Sequence, residues 1–224
     1  MTNPQAVVLM SGGVDSSTVA YWMKSKGYDV VGLSILYGQR ARREVKCALK
    51  VGEALGVISH TVLDLNVLKR VFVSPLTRGK DTVKVEENDR EGPSYYIVPL
   101  RNLVFMSVAC AFAESLGVSV VVIGAHQDDC KGFPDCTPEF YRSLTETVRV
   151  GTGASATPPD LVLPWSGVPK RDIVKVGLEL GVPFQLTWSC YLNGDRPCGK
   201  CESCVYRANA FAVVGAPDPL VTKK

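Results

Sequence analysis

A five-residue apolar run, Ala6-Val-Val-Leu-Met10, stops at Ser11-Gly12-Gly13, and a helical pattern starts at once over residues 14–26, with Val14, Thr18 and Tyr21 or Trp22 at helical spacing. A strand apolar on both faces that turns directly into a helix is the repeating unit of a parallel sheet covered by helices. The remainder of the chain repeats that alternation. Strands are predicted over 29–36, 60–65, 118–124 and 161–164, and helices over 39–55, 100–116, 138–149, 170–180 and about 202–214. The expected fold class is therefore α/β with a parallel sheet, in which ligands bind outside the carboxyl ends of the strands. Residues 66–98 have no clear periodicity and hold Pro75, Gly79, Gly92 and Pro93; a loop of that length is usually functional or mobile. Residues 151–159 read as a Gly/Ala/Pro linker.

Composition removes several classes. The net charge of +3 on 224 residues is too small to argue for a nucleic-acid surface by itself. There is no 18-residue apolar run to cross a membrane, and Ala6–Met10 is too short for a signal peptide. A cytoplasmic protein is expected, in which eight cysteines need a reason other than disulfides.

The Ser-Gly-Gly turn supplies the first site. Two glycines let the backbone turn sharply and approach a ligand, and the following helix presents unpaired N–H groups. Ser11, Ser16, Ser17 and Thr18 add hydroxyl donors, so residues from Met10 through Gly12, Gly13, Val14 and Asp15 to Thr18 form an anion cradle suited to phosphate. No Lys follows the glycines, which excludes the P-loop of kinases and GTPases. Asp15 inside the cradle would repel phosphate unless a cation stands between them, so it is read as a Mg²⁺ ligand on a bound pyrophosphate.

Cys190, Cys198, Cys201 and Cys204 crowd into fifteen residues and supply four soft ligands. Such a set suits structural Zn²⁺ with no open position, and an iron–sulfur cluster is the competing occupant. Arg196, Lys200 and Arg207 stand nearby in sequence to offset the thiolate charge. Cys47 and Cys110 read as core, whereas Cys130 and Cys136 lie in a polar segment where a reactive thiol is conceivable.

Two polar segments complete the set. Tyr37, Gln39 and Arg40 follow the second strand and can stack on a flat heterocycle or grip a carboxylate. After the fourth strand, Asp128, Asp129, Lys131, Phe133 and Asp135 converge; their acids can accept from a guanine-like amidine edge and Lys131 can neutralise a leaving phosphate. Arg101 and Asn102 open the third long helix, and His126 is a candidate proton acceptor.

The string Ser11-Gly-Gly-Val-Asp-Ser16 resembles the signature of the PP-loop ATP pyrophosphatases. With Tyr37-Gly-Gln-Arg40, Val98-Pro-Leu-Arg-Asn102, Gly132-Phe-Pro-Asp-Cys136, Pro138-Glu-Phe140, Thr187-Trp-Ser-Cys-Tyr191 and Cys198-Gly-Lys-Cys-Glu-Ser-Cys204, it resembles the 7-cyano-7-deazaguanine synthase family over nearly the whole chain. Ala41, Phe133 and Thr137 depart from the family's usual His, Tyr and Arg, and Cys130-Lys131 from a usual small hydroxyl. The resemblance implies a Rossmann-like PP-loop domain of the adenine nucleotide alpha hydrolase type over 1–185, with a zinc-binding segment over 186–224. It implies a homodimeric ligase that makes a nitrile from 7-carboxy-7-deazaguanine, ammonia and ATP in queuosine or archaeosine biosynthesis, through acyl-adenylate, amide and adenylated-amide intermediates. Asp15, Arg101 and Lys131 would then be catalytic; Tyr37, Gln39, Arg40, Asn102, Asp128, Asp129, Phe133 and Asp135 would hold the deazaguanine. No glutaminase domain fits this length, so free or partner-delivered ammonia is expected. The alternative is a PP-loop enzyme with another acceptor, such as a tRNA thiolase or a deazaguanine-conjugating enzyme.

Overall fold

The computed structural model describes residues 3–77, 96–154 and 156–221. Five strands, β1 (Gln5–Leu9), β2 (Asp29–Leu36), β3 (Ser59–Asp64), β4 (Val120–Val122) and β5 (Asp160–Val162), form one sheet in the order β3-β2-β1-β4-β5. Every adjacent pair is parallel, with Val8 opposite both Gly32 of β2 and Val122 of β4. Six helices cover it: α1 (Val14–Ser25), α2 (Arg43–Leu55), α3 (Arg101–Leu116), α4 (Pro138–Gly151), α5 (Lys170–Glu179) and α6 (Glu202–Val213).

Strand alternation sorts the core into two layers. Ala6, Val8 and Met10 pack with Val19 and Met23 of α1, Ala48 and Val51 of α2 and Ile173 of α5. Val7, Leu9, Leu33 and Ile35 pack on the other face with Met106 and Ala113 of α3 and Tyr141 and Leu144 of α4. The α/β expectation holds, and the strand order reverses between β1 and β4, which opens a crevice at their carboxyl ends.

Element limits moved where the chain bends toward that crevice. The second helix starts at Arg43 rather than at residue 39, because Gln39 folds back on β2: its side-chain oxygen accepts from the Tyr37 amide at 2.8 Å and its Nε2 donates to the Ile35 carbonyl at 3.3 Å. The fourth strand spans three residues rather than seven. Past it, Gly124 passes against the α1 start, where a Cβ would come within 3.1 Å of the Asp15 carbonyl carbon, so the backbone leaves the sheet. Of the long loop, residues 78–95, with Gly79, Gly92 and Pro93, lie outside the described residues. Phe72 and Leu76 from its first part are buried in the core.

The C-terminal residues share these cores. Phe211 of α6 packs edge-on against Phe184 at 5.3 Å in a cluster with Val14 and Val174. The Trp188 amide donates to the Gly12 carbonyl at 2.8 Å and so pins the cysteine segment to the turn after β1. Among the described residues no helix is long and apolar enough to cross a membrane.

Candidate active site

The Ser-Gly-Gly turn has the geometry its residues require. Gly12 has φ +83°, and a Cβ there would lie 2.1 Å from the Glu44 carbonyl oxygen, so glycine alone lets α2 close against the turn. Ser16 Oγ accepts from the Ser11 amide at 3.1 Å and lies 3.0 Å from Ser11 Oγ. Ser17 is fully buried and its hydroxyl has no partner, whereas Thr18 donates to the Val14 carbonyl at 2.8 Å. Val14 belongs to the core.

Met10, Ser11, Asp15 and Ser16 form one wall of a cavity of about 300 Å³, a volume in the range of small-ligand sites. Tyr37, Gln39, Arg40 and Glu44 line a second wall, and Arg101, Asn102 and Phe105 a third. Asp129 and Phe133 close the β4 side, and Tyr96 and Tyr191, with ring centroids 4.8 Å apart, close another. Residues of the Ser-Gly-Gly turn and of the polar pocket thus line one cavity.

Asp15 does not stand alone. Lys170, the first residue of α5, reaches its Oδ2 at 2.7 Å, and His126 Nε2 lies 3.8 Å from its Oδ1. Burial opposes ionisation of Asp15, but the charge and hydrogen bond of Lys170, with His126 Nε2 nearby, outweigh it and hold the carboxyl below its ordinary range. Its Oδ1 accepts no hydrogen bond, which leaves a buried anionic oxygen of the kind a divalent cation takes. His126 Nδ1 accepts from the Asp128 amide at 3.2 Å, so the ring proton sits on Nε2, between Asp15 and Asp129. In that tautomer His126 is a donor, which removes it as a proton acceptor. Asp129 instead has its proton affinity raised by burial.

Not every acid expected at the ring reaches it. Asp128 accepts from the Lys170 amide at 3.1 Å and lies 3.4 Å from Lys131, whose ammonium is largely exposed; neither lines the cavity. Asp135 accepts from the Asn102 amide at 2.9 Å while Asn102 Nδ2 donates to the Asp135 carbonyl at 3.1 Å, a reciprocal clamp on the start of α3. That clamp follows Leu100, whose φ of 51° is the one left-handed non-glycine conformation among the described residues. It sets Arg101 into the cavity, with its guanidinium 5.9 Å from the Tyr37 ring and Nη1 3.4 Å from the Tyr37 hydroxyl. Burial disfavours that charge, yet Tyr37 and Asp135 outweigh it and raise the guanidinium's proton affinity. Arg40 Nη1 is buried in the cavity wall without a partner.

Sequence reading missed Glu44 and Lys170. Glu44 was hidden in a helix start rich in Arg. Burial lifts its carboxyl to about 8 against the opposing pull of Arg101. Lys170 carried a signal: a cation in the first turn of a helix opposes the dipole and invites a search for its partner.

The four cysteines do converge. Their sulfurs lie within 4.8 Å of one another, with Cys198–Cys204 and Cys190–Cys201 each at 3.9 Å, and could hold a metal ion. Arg207 does not serve them; it is buried and makes two hydrogen bonds to Asp218 at 2.7 and 2.8 Å. Burial raises the Cys130 and Cys136 thiols above their ordinary range, which disfavours a thiolate nucleophile at either.

Residues 5–215 match the family described as "Queuosine biosynthesis protein QueC". The chain is 42% identical over 229 residues to "7-cyano-7-deazaguanine synthase" of Thermosynechococcus vestitus, covering 98% of this chain and 96% of the relative. It is also 42% identical over 220 residues to the protein of the same name from Methanoculleus marisnigri, covering 96% and 97%. In fold it is similar to an NMN synthetase from Francisella tularensis (TM-score 0.52, 16% identity, 96% of this chain and 79% of that one). A 4-thiouridine synthetase solved with RNA and bound ATP is similar too (TM-score 0.54, 18% identity, 93% and 53%).

Proposed function

The chain belongs to the QueC family of queuosine biosynthesis proteins, and from that premise we propose that it is an ATP-dependent ligase converting 7-carboxy-7-deazaguanine and ammonia to 7-cyano-7-deazaguanine. The observation that carries the reading is the single cavity in which the Ser11–Ser16 cradle faces Tyr37, Arg40, Glu44 and Arg101. One end suits a pyrophosphate and the other a flat, polar heterocycle.

The chemistry needs that juxtaposition. A carboxylate is a poor electrophile and oxide cannot leave. Attack of a substrate carboxylate oxygen on the α-phosphate of ATP releases pyrophosphate and forms an acyl adenylate. Ammonia then displaces AMP to give the amide. Adenylation of the amide oxygen by a second ATP, followed by loss of AMP and a proton, leaves the nitrile. The backbone amides and hydroxyls of Ser11–Ser16 are assigned to the departing pyrophosphate, and Lys170 and Arg101 to the negative charge that builds there. Asp129, whose proton affinity burial raises, is assigned to take the proton that ammonia loses. Asp15, with its unpartnered oxygen, would hold Mg²⁺, which when bound neutralises phosphate charge. Asp128, Lys131 and Asp135, bonded outside the cavity, are reassigned to shaping it.

Zn²⁺ is assigned to Cys190, Cys198, Cys201 and Cys204. Tetrahedral Zn–S bonds of about 2.3 Å place sulfurs about 3.8 Å apart; two of the six separations here are 3.9 Å and all lie within 4.8 Å. In a cluster each thiolate binds a different iron and the sulfurs stand farther apart, so that competitor fits less well. Residues 186–224 are read as a metal-binding segment packed on a PP-loop domain over 1–185. A homodimer is expected from the family resemblance, and sedimentation tests it.

Incubation with 7-carboxy-7-deazaguanine, ammonium and Mg-ATP, read by mass spectrometry, is expected to give the nitrile with AMP and pyrophosphate. Nitrile formed alongside ADP and orthophosphate, or no nitrile at all, overturns the reading.

A further inference from the structure

Among the described residues three carboxyl groups line the cavity: Asp15, Glu44 and Asp129. Two are committed. Asp15 holds Lys170 at 2.7 Å, and Asp129 accepts the His126 amide at 3.2 Å. Asp128 and Asp135, the other acids near the β4 side, accept the amides of Lys170 and Asn102. Glu44 differs. Among the described residues its side chain makes no hydrogen bond or ion pair, although it lines the cavity beside Tyr37 and Arg40. It stands in the first turn of α2, and that turn is rigid, because the Glu44 carbonyl packs against Gly12 too closely to admit a Cβ.

An acid on a fixed backbone, facing a ligand cavity with both oxygens uncommitted, awaits donors from the ligand. The substrate proposed above has such donors. Its pyrimidinone ring carries a ring N–H and an exocyclic amine side by side, the pair that a carboxylate accepts in bidentate fashion; burial favours the neutral acid in the empty cavity, and these two donors, with the Arg101 charge alongside, favour the ionised form once the ring is bound. We propose that Glu44 is the specificity-determining residue that accepts these two N–H groups and so reads the 2-amino group of the purine-like ring. The proposal rests on the functional reading above for its ligand. It places the ring's amidine edge at α2 and leaves the Asp15 side to the nucleotide.

The test compares 7-carboxy-7-deazaguanine with the analogue lacking the 2-amino group, 7-carboxy-7-deazahypoxanthine, on the full-length protein and on Glu44→Gln. A charge-assisted hydrogen bond of about 1.5–3 kcal/mol corresponds to roughly 10- to 150-fold. The unmodified protein is expected to prefer the amino-bearing acid by about that factor in kcat/KM. Glu44→Gln is expected to bring the ratio to within about threefold, mainly through KM, at unchanged metal content. A protein with no preference, or a variant that loses activity equally on both acids, overturns the proposal and makes Glu44 only a counter-charge to Arg101. Calorimetric binding of 7-deazaguanine against 7-deazahypoxanthine gives the same comparison without turnover. Selective binding that depends on Glu44, in a protein that never makes nitrile, upholds the proposal and sinks only the assigned reaction. If Gln does not fold, Glu44→Asp withdraws the carboxylate by one methylene and must narrow the ratio; an unchanged ratio overturns the proposal.

Discussion

Lys170 Nζ lies 2.7 Å from Asp15 Oδ2, joining the start of α5 to the start of α1 across 155 positions of sequence. Both side chains are largely buried, so neither charge is tolerated without the other. Lys170→Met is expected to cost about 3 kcal/mol of stability, and adding Asp15→Asn to restore part of it, because the stranded carboxylate is then neutral. Thermal denaturation of the two single variants and the double measures the coupling. Turnover with ATP is expected to fall about a hundredfold or more in Lys170→Met, and wild-type turnover there would remove Lys170 from the site.

Gly12→Ala tests the turn itself. The new methyl meets the Glu44 carbonyl oxygen at 2.1 Å and the Ala48 amide at 2.7 Å, both backbone, at a φ of +83°. Neither neighbour can rotate away, so a loss of about 3 kcal/mol or more is expected. Chemical denaturation reads it; stability within 1 kcal/mol of the parent would contradict this packing.

Cys201→Ser removes a buried ligand from the four-sulfur cluster. The purified variant is expected to carry less than one tenth of the parent's zinc by elemental analysis and to melt at a lower temperature. Because Trp188, in the same segment, donates to the Gly12 carbonyl, ATP affinity should weaken as well. A metal-free variant with an unaltered melting temperature would mean the site is not structural.

His60 governs one arm of the acid stability. Its ring packs against Gly32 and Gly52, its Nε2 lies 2.9 Å from Ser34 Oγ, and its Nδ1 is buried without a partner. Burial lowers its pKa below the ordinary 6.5. Below pH 6.5 the unfolded chain therefore takes up a proton that the folded chain refuses, and stability falls as pH drops toward the folded pKa. Urea midpoints measured from pH 7 to pH 5 are expected to decline, and to decline less steeply in His60→Gln. Parallel slopes would show that His60 does not contribute.

Much of the fold was legible because its signals are local. The run Ala6–Met10 followed by Ser-Gly-Gly identifies a buried strand and a sharp turn whatever the rest of the chain does, and the Cys198-x2-Cys201-x2-Cys204 spacing gathers three thiols around the start of α6. The site was legible only in part. Asp128 and Asp135 looked available in sequence, yet each is bonded to backbone that the tertiary structure brings to it, and Gln39 turns back on the end of its own strand. Glu44 looked like one acid on a solvated basic helix until α2 closed on Gly12.

By itself, then, the sequence determined the α/β class, the Ser-Gly-Gly turn after the first strand and the four converging cysteines, since each depends on residues close together along the chain. Tertiary structure alone decided which charges are paired and which still face the cavity. Those pairings depend on the strand order β3-β2-β1-β4-β5, which sets α5 against α1 and α2 against the Ser-Gly-Gly turn. No local pattern carries that order, because it comes from how whole elements bury their apolar faces against one another.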